Sequence, residues 1–443
     1  MLDFSDAEHE AYWAYLAVAA DAASNDASYT FPHDNVSDFA TERQKLKSGT
    51  PAPAGGNPSF KFSGFTYEDP AGLERRPWLY GHHLLRKYVS ATLAPGGVGK
   101  STLTITDALS MVTGRALLGS KPREQHLLVC IWNGEDDAIE LKRRVLAVML
   151  HYDISPAEIE GRLFLTSGRD MPIKISNDKQ QIAVPVIDAL IETINSQRID
   201  VLIIDPFVSI HGLPENDNGA MDAAIKAFAL VADRTNCAIE IVHHSRKLNG
   251  IDADIDSARG GSALAGAVRA ARVLNAMNAE TAGKLGIAEN ERRSYVRIDD
   301  AKGNFAPPEA AKWFKLVSEP LGNHGPNNEP GDWVAVAKPW VMPDMAAGLS
   351  ADDLTKVQDA VEYQTHNGVE QCRLDAQATS YVGHTIARVL KLDMQKDRDK
   401  ARVKAAVKKW IEEGSLIVVR GPDGKSKDRD YVHVGKRATN PRD

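Results

Sequence analysis

The segment Ala94-Pro95-Gly96-Gly97-Val98-Gly99-Lys100-Ser101 constrains this chain more than any other. It joins an apolar run, YVSATL, to a helix-forming run, STLTITDALSMV. Glycine tolerates positive φ and lets another group approach the backbone closely, so a loop of this kind presents a row of free N–H donors. The helix behind it adds the partial positive charge of its N-terminus. Such a loop suits the phosphates of ATP. Lys100 is expected to pair with the β- and γ-phosphates, and Ser101 to enter the shell of a Mg²⁺ ion, with Thr102 completing the binding segment. Ala94 stands where this pattern usually has glycine.

Between about residues 60 and 320, β-branched runs alternate with helical stretches. Strands are expected at Tyr88–Leu93, His126–Trp132, Val201–Asp205, Ala238–His243, Ala271–Asn275 and Ser294–Ala301. Helices are expected at Lys100–Val112, Ala138–His151, Gln181–Ser196 and Ala220–Thr235. Unbroken apolar strands joined by helices indicate a mostly parallel sheet covered on both faces, with ligands at the carboxyl ends of its strands. Three strand ends then matter. Asp205 closes VLIID and suits a Mg²⁺ ligand; the alternative is a cap for the chain that follows. Glu135 follows LLVCIWNG and suits a general base for water, or a cap for the helix after it. The run His243-His244-Ser245-Arg246-Lys247 ends a third strand, and its two histidines suit hydrogen bonds to the γ-phosphate.

The 443 residues are enough for two to four domains. Residues 1–47 read as a helical appendage, with apolar spacing over 5–23, and 48–59 (SGTPAPAGGNPS) as a linker. Residues 60–320 form the core and 321–350 a Gly-, Pro- and Asn-rich linker with a short strand pair. Residues 351–443 run helix, helix, helix, then two strands, the order of a winged helix. The helix over 398–413 gathers Val403, Ala406, Val407, Trp410 and Ile411 on one face. From Lys396 onward, 14 Lys/Arg face 8 Asp/Glu, a net of +6 on a chain whose total is −7. A basic tail on an acidic body suits contact with DNA phosphates or with a protein partner, and Lys425 and Lys427 sit in the expected wing. No apolar run reaches the ~18–20 residues of a membrane span, and the N-terminus is acidic before its apolar stretch, so neither membrane nor export is expected. Three scattered cysteines, Cys130, Cys237 and Cys372, suit the cytoplasm.

The ordered set of APGGVGKS, strand–Glu135, VLIID, IVHHSRK, RGGSALAGAVR and DDAKGN resembles the RecA-like ATPases. Within them it is most similar to the RepA-type hexameric replicative DNA helicases of plasmids and phages, over roughly residues 75–320. The resemblance implies an α/β RecA-like P-loop NTPase core, with the N-terminal appendage and C-terminal winged helix outside it. It implies a homo-oligomeric, hexameric ring with ATP between subunits and single-stranded DNA in the channel, gripped by loops near 211–219 and 246–260. It implies Asp205 as the Mg²⁺ aspartate, Glu135 as base, His243 and His244 as the histidine motif, and Arg269 as an arginine finger acting in trans. Arg259 and Arg272 are substitutes for that finger. Lys302-Gly303-Asn304 stands where related helicases carry Lys-x-Arg, leaving Lys302 to reach a neighbour's phosphate. A non-unwinding ATPase of the same fold, or a DNA-binding regulator switched by ATP, are the alternatives.

Overall fold

The structure, a computed structural model, describes residues 62–177, 181–215, 217–245, 252–257, 261–307, 309–326, 329–366, 371–423 and 427–437. The expected appendage 1–47, the linker 48–59, Arg259 and Lys425 lie outside the described residues. Two compact units are present. One comprises residues up to Leu274 with 298–311 and 317–338; the other comprises 275–297, 312–316 and 339–443.

The chain begins with β1 (Trp78–Tyr80), β2 (Leu84–Leu85), β3 (Val89–Ala94), α1 (Lys100–Thr113), β4 (Val129–Asn133), α2 (Ala138–Tyr152), α3 (Pro156–Ile159) and β5 (Leu163–Ser167). It continues through α4 (Val184–Gln197), β6 (Val201–Asp205), α5 (Val208–His211), α6 (Asn218–Thr235), β7 (Ala238–His244), α7 (Gly261–Ala267) and β8 (Ala270–Ala276). Then come α8 (Ala279–Leu285), α9 (Glu289–Arg292), β9 (Tyr295–Gly303), β10 (Lys312–Pro320) and β11 (Trp333–Trp340). A nine-stranded sheet has the order β11-β10-β9-β8-β3-β7-β6-β4-β5. Every pairing from β8 through to β5 is parallel.

Alternation explains the layering. In β6, Leu202 and Ile204 face one core with Phe228, Ile187 and Leu264 from α6, α4 and α7. Val201 and Ile203 face the other core, with Ile105, Leu109 and Val148 from α1 and α2. Adjacent side chains of a strand point to opposite faces, so a strand covered on both must be apolar throughout. The expected strands and helices between residues 88 and 303 all form, with ends shifted by a few residues. Strand β5 was not expected: its five residues LFLTS lie at the sheet's edge and bury only Ser167 fully.

The stretch 321–350, expected as a linker with a short strand pair, contributes to the main sheet. It holds β11, the outermost strand of the sheet, and β10 before it is likewise a full strand. Pro339 and the Gly/Asn-rich chain ahead disguise the alternation of Val334 and Val336, which pack on the α1–α2 core.

A buried ionic cluster crosses the sheet. Arg272 on β8 contacts Asp107 of α1 at 2.8 Å and Glu240 of β7 at 3.0 Å, and its Nε donates to Thr92 Oγ1 at 2.7 Å. Tyr80 donates to Asp107 at 2.8 Å, and His83 reaches Glu240 at 3.0 Å. Burial alone would raise Glu240, but Arg272 and then His83 hold its carboxyl well below the usual range. For Asp107 burial outweighs Arg272, and its pKa is raised.

In the second unit, α10 (Ala351–His366), α11 (Val382–Val389) and α12 (Asp397–Glu412) precede a hairpin of β12 (Leu416–Pro422) and β13 (Asp428–Val434). Val403, Ala406, Val407 and Trp410 of α12 are buried, as their spacing requires. Helix α8 packs on α12 within the same unit. Among the described residues no helix is long and apolar enough to cross a membrane.

Removing Arg272 leaves Asp107 without its cation and Glu240 with His83 alone, and breaking such a buried pair typically costs about 3–5 kcal/mol. Arg272→Met is therefore expected to lower the thermal midpoint by roughly 6–20 °C, at about 2–4 °C per kcal/mol for a domain of this size. Calorimetry checks this; a variant melting alongside the parent would mean the cluster adds no stability.

Candidate nucleotide site

Parallel strands carry their carboxyl ends to one edge, and the loop lies there. Ala94, buried, ends β3, and the chain turns through Pro95 to Gly99, the N-cap of α1. Gly97 and Gly99 have φ of +80° and +87°, which L side chains rarely adopt. A Cβ on Gly96 or Gly97 would meet nothing within 4 Å, so the loop's backbone is open to a ligand. Val98 packs beneath it, buried.

Lys100 is 7% exposed. Its ammonium donates to the carbonyls of Ala94 and Pro95, both at 3.2 Å, and lies 3.0 Å from His244 Nδ1. Burial lowers its pKa, opposed by the charges of Asp205 and Glu135. Asp205 ends β6 and is 4% exposed. Burial pushes its carboxyl up to about 6, against a hydrogen bond from Ser101 and the charge of Lys100. One buried ammonium, one hydroxyl and one carboxylate thus meet beside an open row of N–H groups. That donor set fits a triphosphate with its Mg²⁺: the loop and Lys100 toward the phosphates, Ser101 and Asp205 toward the cation.

Glu135 lies just past β4, exposed, beside Asn133, which pairs with Asp205 across the strands. The two histidines separate. His244 pairs with Ala94 and meets Lys100. His243 is fully buried and faces the opposite layer, its ring 6.3 Å from that of Phe207. The expectation that both reach the phosphates is therefore corrected for His243, because neighbours along a strand point to opposite faces.

Arg269 and Lys302 lie at the other edge of the sheet. The Arg269 N–H donates to Val89 O, at the start of β3, and five residues of strand from there to Ala94 span roughly 16 Å. Lys302 donates to Ala265 O, and burial together with Arg269 lowers its pKa. Neither is positioned to meet this chain's own loop. Arg272 is also removed as a finger: it is 6% exposed and engaged with Asp107 and Glu240.

A cavity of about 390 Å³ opens beside the loop. Thr102, Glu140, Arg143, Arg144, Asp332 and Trp333 contribute to its wall. Arg144 is held by Asp136 and Glu140, both at 3.1 Å, and Arg143 by Asp332 at 3.2 Å. Trp333 is 65% exposed, so its ring is free to stack. The sequence reading missed this wall because part of it, from Asp332 into the start of β11, comes from far along the chain.

Residues 58–250 match the family model described as AAA domain. The stretch contains the loop, Glu135, Asp205 and both histidines, and with the geometry above it supports a RecA-like P-loop ATPase core. Among solved structures the chain is similar to the RadB recombinase, at 14% identity and a TM-score of 0.34, over 52% of this chain and 88% of that one.

A carboxyl whose pKa rises from 3.8 to about 6 on folding favours the fold in its protonated form; that contribution is lost as pH climbs through 6. Ionised Asp205 then costs roughly 3 kcal/mol at neutral pH. In metal-free buffer Asp205→Asn is expected to melt above the parent at pH 7.5, with the gap closing toward pH 4. Melting curves across that range check it, and a gap independent of pH would contradict it.

Proposed function

We propose that this chain is an ATP-hydrolysing motor acting on DNA, a RepA-like helicase that works as a hexameric ring. The observation that carries the reading is the division of the site. Lys100, Ser101, Asp205, Glu135 and His244 lie at one edge of the sheet, whereas Arg269 and Lys302 lie at the other. A complete site then needs two copies joined head to tail, and such a contact closes into a ring when its rotation permits.

In this reading the loop amides and Lys100 hold the phosphates and Ser101 and Asp205 hold the cation. Bound Mg²⁺ supplies neutralisation of phosphate charge. Glu135 orients the attacking water and accepts its proton. Arg269 of the neighbouring copy stabilises charge on the transferred phosphoryl group, commonly worth ~10³–10⁵ in rate. Lys302 assists from the same neighbour, and His244, bonded to Lys100, follows the γ-phosphate. Trp333 and Arg143 suit the two faces of the nucleobase.

The helix–helix–helix–hairpin order of the second unit supports a winged helix that binds duplex phosphates. A Cβ on Gly286 of that unit would lie 3.0 Å from Arg398, and Asp397 and Asp399 make the first turn of α12 acidic. Contact through Lys404, Lys408 and the hairpin therefore fits better than insertion of the leading turn into a groove.

Lys100→Ala is expected to abolish ATP turnover and leave salt-sensitive duplex binding intact; unchanged hydrolysis rejects the site. Equal amounts of Lys100→Ala and Arg269→Ala subunits, each inactive alone, are expected to regain activity when mixed. About one interface in four then carries both an intact loop and an intact finger. A mixture as inactive as its components would rule out the trans role, and a forked duplex that stays paired under MgATP would favour a non-unwinding ATPase of the same fold.

A further inference from the structure

Glu135 is exposed and stands on a turn, so what aims it must act through the backbone. That turn is unusually well tied. Asn133 Oδ1 accepts from the Glu135 and Asp136 N–H groups at 2.9 and 2.7 Å. The Ser167 hydroxyl donates to Asp136 O at 2.8 Å. Arg169, two residues beyond β5, donates to Glu135 O from Nε at 3.0 Å and from Nη2 at 2.6 Å. The two turns approach closely because both carry glycine: a Cβ on Gly168 would lie 2.9 Å from the Gly134 Cα.

We infer that Arg169 is a positioning residue for ATP hydrolysis, a two-pronged clamp on the Glu135 carbonyl that fixes the carboxylate toward the loop. The inference rests on the proposed role of Glu135 as base. Both guanidinium donors converge on one oxygen, so a rotation of the Glu135 peptide breaks both bonds at once. Planarity makes the guanidinium suited to this, and a lysine supplies only a single flexible donor. A base must sit within hydrogen-bond reach of the water it activates, and misplacement by about 1 Å can cost ~10²-fold in rate. The side chain of Arg169 is 60% exposed, so its role is not one of filling a core.

The test uses the full chain with MgATP and four variants: Arg169→Ala, Arg169→Lys, Glu135→Gln and the double variant Glu135→Gln/Arg169→Ala. Arg169→Ala is expected to lower kcat about 10- to 100-fold, with the KM for ATP and the thermal midpoint unchanged. Arg169→Lys is expected to fall between. In the Glu135→Gln background, removal of Arg169 is expected to cost nothing further under single-turnover conditions. A normal kcat in Arg169→Ala, or losses that multiply in the double variant, would overturn the clamp. If Glu135→Gln hydrolyses normally, the base assignment fails and the clamp with it. If Glu135→Gln is inactive and Arg169→Ala is not, only the clamp fails.

Discussion

Parallel pairing in register is the constraint on which the rest of this structure depends. Because β3 pairs with β7 and β4 with β6 in the same sense, Ala94 lies beside His244 and Asn133 beside Asp205. A loop, an ammonium, a hydroxyl and a carboxylate from distant parts of the chain therefore meet at one edge without any long-range fitting of side chains. Antiparallel pairing would scatter the same residues to both edges. Burial on both faces is what enforces the parallel arrangement, since each crossover helix must cover the sheet it leaves.

The same burial sets the electrostatics. In the middle of the sheet, Arg272 compensates Glu240, and the hydroxyls of Tyr80 and Thr92 bond to the carboxylates beside it. At the edge, Asp205 is almost as deeply buried but less well compensated, so its carboxyl is held above its ordinary range. One charged cluster has its charges paired, and the other leaves a carboxyl buried with its pKa raised to about 6. Two arginines three residues apart thus differ wholly in role: Arg272 is locked inside, while Arg269 is exposed at the far edge.

Rigidity around the site follows a graded pattern. Lys100 and Asp205 are held by burial, His244 by its strand and by Lys100, and Glu135 by its N–H donating to Asn133 and its carbonyl accepting from Arg169. Exposed groups need such backbone ties more than buried ones, because packing does not restrict them. Trp333 and Arg143, on an edge strand and a helix face, line a cavity next to the loop.

Much of this was legible in the amino-acid order. The loop, the strands ending at Asp205 and near Glu135, the four main helices and the apolar face of α12 all follow from glycine spacing and local periodicity, which depend on neighbours a few residues apart. The fates of His243 and Arg272 did not, nor did strand β5 or the place of β11 as the outermost strand of the main sheet. Local order says that a histidine ends a strand but not which layer it enters, and that Arg272 follows two alanines but not whether a carboxylate 32 residues earlier awaits it inside the sheet. Those outcomes depend on which strand becomes whose neighbour. Sequence determined the pieces and the chemistry they carry; tertiary structure decided which faces were buried, which charges were paired, and on which edge of the sheet each cation came to lie.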